Sequence, residues 1–198
     1  MIKVMYTIIL VFILCFAGCS SQTKQEEEIQ PKEQEVPKAT EEPIKQEEKE
    51  PVLLGQAQTD IIDQDEDRIH NISLASQNLN GYVLKSNEVF SFNEVLGDRT
   101  EEKGYRDAAV IVKGKKEEDC GGGVCQVSTT LYQAAQNAGM TILERNSHQK
   151  EVPYAAQGED AAVNYGSLDL RFKNNLGVPV VFELYIENGT MIANIFEQ

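Results

Sequence analysis

The chain has 198 residues, a formal net charge of −14, four cysteines, two histidines and no tryptophan. That acidity argues against nucleic acid as a partner. The cysteines form no CxxC pair and no Cys/His cluster of the kind that holds zinc, so neither a metal nor an organic cofactor is expected.

Lys3 is followed by an apolar run from Val4 to Ala17 and then by Gly18-Cys19-Ser20-Ser21. A basic start, a short apolar region and small residues at its end read as a secretory signal peptide. The run is too short for a comfortable membrane span. Its ending, Phe16-Ala17-Gly18-Cys19, resembles the lipobox of bacterial lipoproteins, which implies lipid on Cys19. Residues 1–19 are therefore expected to be a lipoprotein signal. Residues 20–54 are rich in Glu, Lys, Gln and Pro with few apolar side chains, and they read as a disordered linker. Residues 55–198 form the folded domain, expected outside the cytoplasmic membrane and tethered to it by the lipid. With Cys15 removed and Cys19 lipidated, Cys120 and Cys125 remain. In an oxidising exterior a disulfide between those two is open.

In the folded domain, Ile61 to Leu79 predicts a helix with Ile62, Ile69, Ile72, Ala75 and Leu79 inward, closed by Asn80-Gly81. Short strands follow at Tyr82–Leu84, Val89–Phe92 and Ala108–Val112. A second helix starts near Cys125, where Val127, Leu131, Ala134, Ala135 and Ala138 share one face, and it stops at Gly139. Beyond it, strands are expected at Thr141–Glu144, Ala161–Tyr165 and Leu168–Phe172. Val178–Ile186 and Met191–Phe196 flank Asn188-Gly189, a hairpin signal. The fold class is α+β, two main helices packed on a largely antiparallel sheet.

The chemistry concentrates at Asp119-Cys120-Gly121-Gly122-Gly123-Val124-Cys125-Gln126. A cysteine at a helix N-terminus meets unpaired N–H groups and a dipole that favour its thiolate. The glycines before it let a ligand approach the backbone and can aim N–H groups at an oxyanion. Gly122, Gly123 and Gln126 are the candidate positions for oxyanion and substrate. Of the two histidines, His70 reads as a helix-face residue. His148 follows the strand that returns from the second helix and can meet Cys125 as its base. Asp160 is the first candidate to orient that imidazole, ahead of Asp169 and Asn164. Ser128, Thr129 and Thr130 lie within the helix, where packing and backbone bonds account for them.

Several motifs in order resemble a VanW domain: Phe90-Ser91-Phe92-Asn93, Gly104-Tyr105, Gly121 to Tyr132, Glu144-Arg145-Asn146-Ser147-His148, Pro153-Tyr154 and Leu168 to Phe172. The family name comes from glycopeptide-resistance gene clusters. Some VanW-domain proteins are described as L,D-transpeptidases that crosslink peptidoglycan through a cysteine. The resemblance thus implies Cys125 as nucleophile, His148 as base and peptidoglycan stem peptides as partners. A papain-like wall peptidase or amidase and a non-enzymatic lipoprotein that binds wall precursor are the alternatives. Cys120, directly before the glycines, departs from the family pattern and leaves the redox state of Cys125 open.

Overall fold

A computed structural model describes residues 50–112 and 115–198. The signal peptide, Cys19 and nearly all of the expected linker lie outside the described residues.

The first element is a strand that the hydrophobic pattern did not announce, β1 (Leu53–Asp60). It pairs antiparallel with β9 (Thr190–Glu197), which pairs with β8 (Val180–Glu187), and β2 (Val83–Leu84) closes the four-stranded sheet in the order β1-β9-β8-β2. The β8–β9 turn is the expected Asn188-Gly189, with φ of 50° and 79° at the two positions, as a tight hairpin requires. A second sheet has the order β3-β7-β6, from Val89–Ser91, Arg171–Lys173 and Thr141–Glu144. A separate hairpin joins β4 (Asp107–Val112) to β5 (Lys115–Cys120).

Helix α1 runs Glu66–Leu79, later than the expected start at Ile61, because Asp65 caps it: its carboxylate accepts the Arg68 N–H at 2.9 Å. Ile61 and Ile62 belong to the connection from β1. Ile62, expected inward, is 61% exposed. A short helix α2 (Phe92–Leu96) follows β3, and α3 (Val124–Asn137) is the central helix. The class is α+β with antiparallel pairing, as expected, but divided among three small sheets.

Phe90, Phe92, Phe172 and Phe182 are fully buried at the centre. Phe90 faces Phe172 across the β3–β7 pair, with ring centroids 4.8 Å apart. Burial of each such ring is worth about 1.5–3 kcal/mol. The expected strands over Ala161–Tyr165 and Leu168–Phe172 are corrected. The structure has only an Asn164–Leu168 bridge and then β7. Ala161, Ala162 and Val163 are buried, yet their backbone bonds go to side chains of α3 and to Asn146 rather than to a strand. Ala161 N–H donates to Thr129 Oγ1 at 3.0 Å, the Ser128 hydroxyl donates to the Ala161 carbonyl at 2.6 Å, and Ala162 N–H donates to the Asn146 carbonyl at 2.7 Å. Ser128 and Thr129 thereby pin this loop beside the start of α3.

Candidate active site

Cys125 is the second residue of α3. The turn before it uses glycine for two distinct reasons. Gly123, the N-cap, sits at φ 105°, a conformation that L side chains rarely adopt. Gly122 has ordinary φ but no room: a Cβ there would lie 2.6 Å from the Ala108 carbonyl carbon. The turn is thus pressed onto β4. Asn71 of α1, fully buried, holds both: its Nδ2 donates to the carbonyls of Arg106 and Gly122, and its Oδ1 accepts the Arg106 N–H.

The structure brings Cys125, His148 and Asp160 together. The Cys125 thiol is partly buried and points its Sγ to the Val163 carbonyl at 3.4 Å. Burial opposes its ionisation, but a hydrogen bond and the positive charge of His148 outweigh this, helped by Val163 and Arg99, and the thiol lies below its ordinary value. His148 moves the opposite way. Burial disfavours the imidazolium, while Cys125 and Asp160 favour it and hold it above its ordinary value. The pair therefore favours imidazolium and thiolate. Asp160 is 5% exposed and its Oδ2 takes both Nδ1 and the backbone N–H of His148, each at 2.6 Å. Its Oδ1 meets Arg145 Nη2 at 2.8 Å. Burial pushes this carboxyl up, but the two His148 donors and Arg145 bring it below the usual range. With Nδ1 committed to Asp160, Nε2 is the nitrogen left for Cys125. His148 also stands edge-on to Tyr154, whose hydroxyl burial pushes to a high pKa.

The other candidates fall elsewhere. Asp169 braces the start of α2, accepting from the hydroxyl of the N-cap Ser91 at 2.5 Å and from Asn93 N–H at 2.9 Å, and Asn164 sits in the bridge to Leu168. Neither holds His148. His70 Nε2 lies 2.8 Å from the Gly104 carbonyl, on the face of α1. Gly122 and Gln126 are taken up by packing. The Gly122 N–H donates to Asp119, and the buried Gln126 amide bridges Arg68 to the Thr59 hydroxyl and the Asp60 carbonyl. Gln126 N–H and Val124 N–H are also spent, on Gly123 and Gly121. Among the described residues, the N–H groups of Gly123 and Cys125 carry no partner, and these are the amides available to an oxyanion. Cys120 and Cys125 are both free thiols. Burial and then Asp107 and Glu101 push the Cys120 thiol up, so it is the poorer nucleophile.

A cavity of about 820 Å³ opens over Cys125. Sequence reasoning missed two arginines on its wall, Arg68 and Arg99. Neither stands in a recognisable spacing to Cys125; only the fold carries them to the glycine turn. Among the described residues no group of three His, Cys, Asp or Glu side chains is arranged to hold a metal, and no helix is long and apolar enough to cross a membrane.

A cysteine, a histidine and an aspartate meet on an α+β domain and define a class of cysteine site, and similarity to known proteins gives the chain a family. The chain belongs to the VanW family: residues 67–196 match the family described as VanW like protein. It is 43% identical over 143 residues to the Bacillus subtilis protein YoaR, described as uncharacterized, covering 72% of this chain and 47% of that protein. It is 30% identical over 136 residues to the Enterococcus faecalis vancomycin B-type resistance protein VanW, covering 66% of this chain and 50% of that one. The chain thus spans about half the length of these relatives. No solved structure matches it.

Proposed function

We propose that this protein is a cysteine acyltransferase of the cell wall, an L,D-transpeptidase acting on peptidoglycan stem peptides, and that it is linked to glycopeptide resistance as the name of its E. faecalis relative suggests. The observation that carries this reading is the Asp160–His148–Cys125 relay at the start of α3. Cys125 thiolate attacks the carbonyl carbon of the L,D-linkage, and the carbonyl electrons move to oxygen, facing the N–H groups of Gly123 and Cys125. Collapse breaks the bond to the D-alanine nitrogen, which takes a proton from the His148 imidazolium. The neutral imidazole then accepts a proton from the amine of a second stem as that amine attacks the thioester, and Cys125 leaves as thiolate. Asp160 fixes the ring and supports its charge throughout.

The reading includes an extracytoplasmic site of action, with the protein anchored through lipid on Cys19, on the strength of Phe16-Ala17-Gly18-Cys19. The test is mass spectrometry of the protein incubated with a disaccharide-tetrapeptide. The expected product is Cys125 carrying the stem less D-alanine, followed by a crosslinked dimer when an acceptor stem is added. Release of a free tripeptide without crosslink would assign a peptidase instead. Full function of Cys125→Ala would leave a binding protein and end the acyl-transfer reading.

A further inference from the structure

The two arginines on the cavity wall are not used by the relay. Arg99 rests its stem against Gly121, where a Cβ would come within 2.7 Å of Arg99 Cβ. Its guanidinium lies over the Phe92 ring at 5.4 Å, and Nη1 donates to Asn93 Oδ1 at 2.7 Å and to the Gly97 carbonyl at 2.9 Å. One edge of the fork is thus fixed. Nη2 is buried with no acceptor. Arg68 flanks the other end of the turn, its stem against Gly123, and its Nε is likewise buried without an acceptor while Nη2 donates to Gln126.

A buried charged donor without a partner is costly, so such a group in the wall of a cavity calls for an acceptor. The acids that share this wall do not supply one. Asp98 is paired with Lys103, and Asp63 and Asp119 accept backbone N–H groups. Neither arginine has a carboxylate within ion-pair distance among the described residues. A planar guanidinium with one edge anchored is shaped for a carboxylate, and its charge reaches the thiolate of Cys125.

We propose that Arg99 docks a carboxylate of the substrate beside Cys125, so that the site takes an acyl donor whose leaving residue ends in a free α-carboxylate. This rests on the acyl-transfer reading for the identity of the donor, but the carboxylate site itself does not. The site selects chain ends: a D-alanine with a free carboxylate leaves, and a peptide continuing beyond that residue is refused.

Two measurements test it. The first uses alkylation of Cys125 by iodoacetate and by iodoacetamide, read by peptide mass mapping so that Cys120 is counted apart. The two reagents differ in carrying a carboxylate, so their rate ratio cancels the thiolate fraction. Relative to glutathione, the ratio in the wild type is expected to favour iodoacetate by about tenfold, the discrimination of one charge-assisted hydrogen bond. It falls to the glutathione value in Arg99→Gln and is largely kept in Arg99→Lys. A wild-type ratio equal to that of glutathione overturns the proposal without any variant. So does an Arg99→Gln protein in which both rates fall together, since Arg99 then only supports the thiolate.

The second compares acylation of the wild type by a stem tetrapeptide, by its C-terminal amide, and by the peptide amidated instead at its γ-linked glutamate. Loss of acylation with the C-terminal amide alone supports the proposal. Loss only with the glutamyl amide overturns the assignment to the leaving residue. If no peptide acylates Cys125 yet the iodoacetate bias stands, the carboxylate site survives and the peptidoglycan reading fails. Equal acylation by all three with no bias leaves the reading standing and removes the carboxylate site.

Discussion

At the scale of the residue, Cys125 and His148 set each other's charge. The thiol lies below its ordinary value, against its own burial, because of the hydrogen bond and charge of His148, and the imidazole lies above its ordinary value, again against burial, because of Cys125 and Asp160. The sign follows for pH. Thiolate persists below the roughly 8.5 of a free thiol, and imidazolium persists above the roughly 6.5 of a free histidine. Reaction of Cys125 with a neutral alkylating agent should therefore stay fast as pH falls from 8.5 towards 7 and decline only when the pair takes up a proton. In His148→Ala, burial is opposed only by Val163 and Arg99. The inflection should move up, towards that of an unassisted thiol, and the rate at pH 7 should drop about tenfold. Stopped-flow or timed alkylation against pH reads this directly. An unchanged inflection would mean that His148 does not support the thiolate.

At the scale of the element, the placement of Cys125 depends on how closely α3 lies against β1. The inward residues of β1 are Gly55, Ala57 and Thr59. A Cβ at Gly55 would come within 2.4 Å of the Ala134 carbonyl oxygen and 2.5 Å of the Ala138 nitrogen, backbone atoms that cannot swing aside. Gly55→Ala should cost about 1–3 kcal/mol, the usual penalty of overpacking, measured as a lower urea midpoint at unchanged m-value. The same crowding explains why β1 escaped a reading from hydrophobic pattern. A strand packed that tightly on a helix shows small side chains inward, and Gly-Ala-Thr carries little apolar signal. Helix α3 and the β8–β9 hairpin were legible because the spacing of Val127, Leu131, Ala134 and Ala135 and the Asn188-Gly189 turn are local. The buried Ala161-Ala162-Val163 stretch misled for the opposite reason: it is apolar, but its backbone bonds go to hydroxyls of α3. Cys125, His148 and Asp160 were legible as residue types at the ends of local elements. Arg68 and Arg99 were not, because tertiary packing alone brings them to Gly123 and Gly121.

At the scale of the molecule, one side chain joins the parts that make the site. Asn71 lies on α1 and is fully buried. Its amide oxygen takes the Arg106 N–H at 2.9 Å, and its amide nitrogen donates to the Arg106 carbonyl at 2.8 Å and the Gly122 carbonyl at 3.0 Å. Arg106 leads into the β4–β5 hairpin and Gly122 into α3, so the helix, the hairpin and the glycine turn meet at this amide. The Arg106 carbonyl also receives the Gly121 N–H at 3.0 Å, which closes the turn onto the hairpin a second time. Asn71→Ala removes three hydrogen bonds and leaves backbone groups without their partner. The expected cost is about 3 kcal/mol, since each unsatisfied buried group costs about 1–3 kcal/mol and the Arg106 carbonyl keeps one donor. Because the same bonds hold the turn that presents Cys125, the variant should lose reactivity as well as stability under conditions where it remains folded. Urea unfolding gives the first quantity, and the pH profile of Cys125 alkylation at low urea gives the second. A variant that loses stability but keeps the wild-type profile would show that Gly121 and Gly123 hold the turn without Asn71, and that the link from α1 to the site is one of folding only.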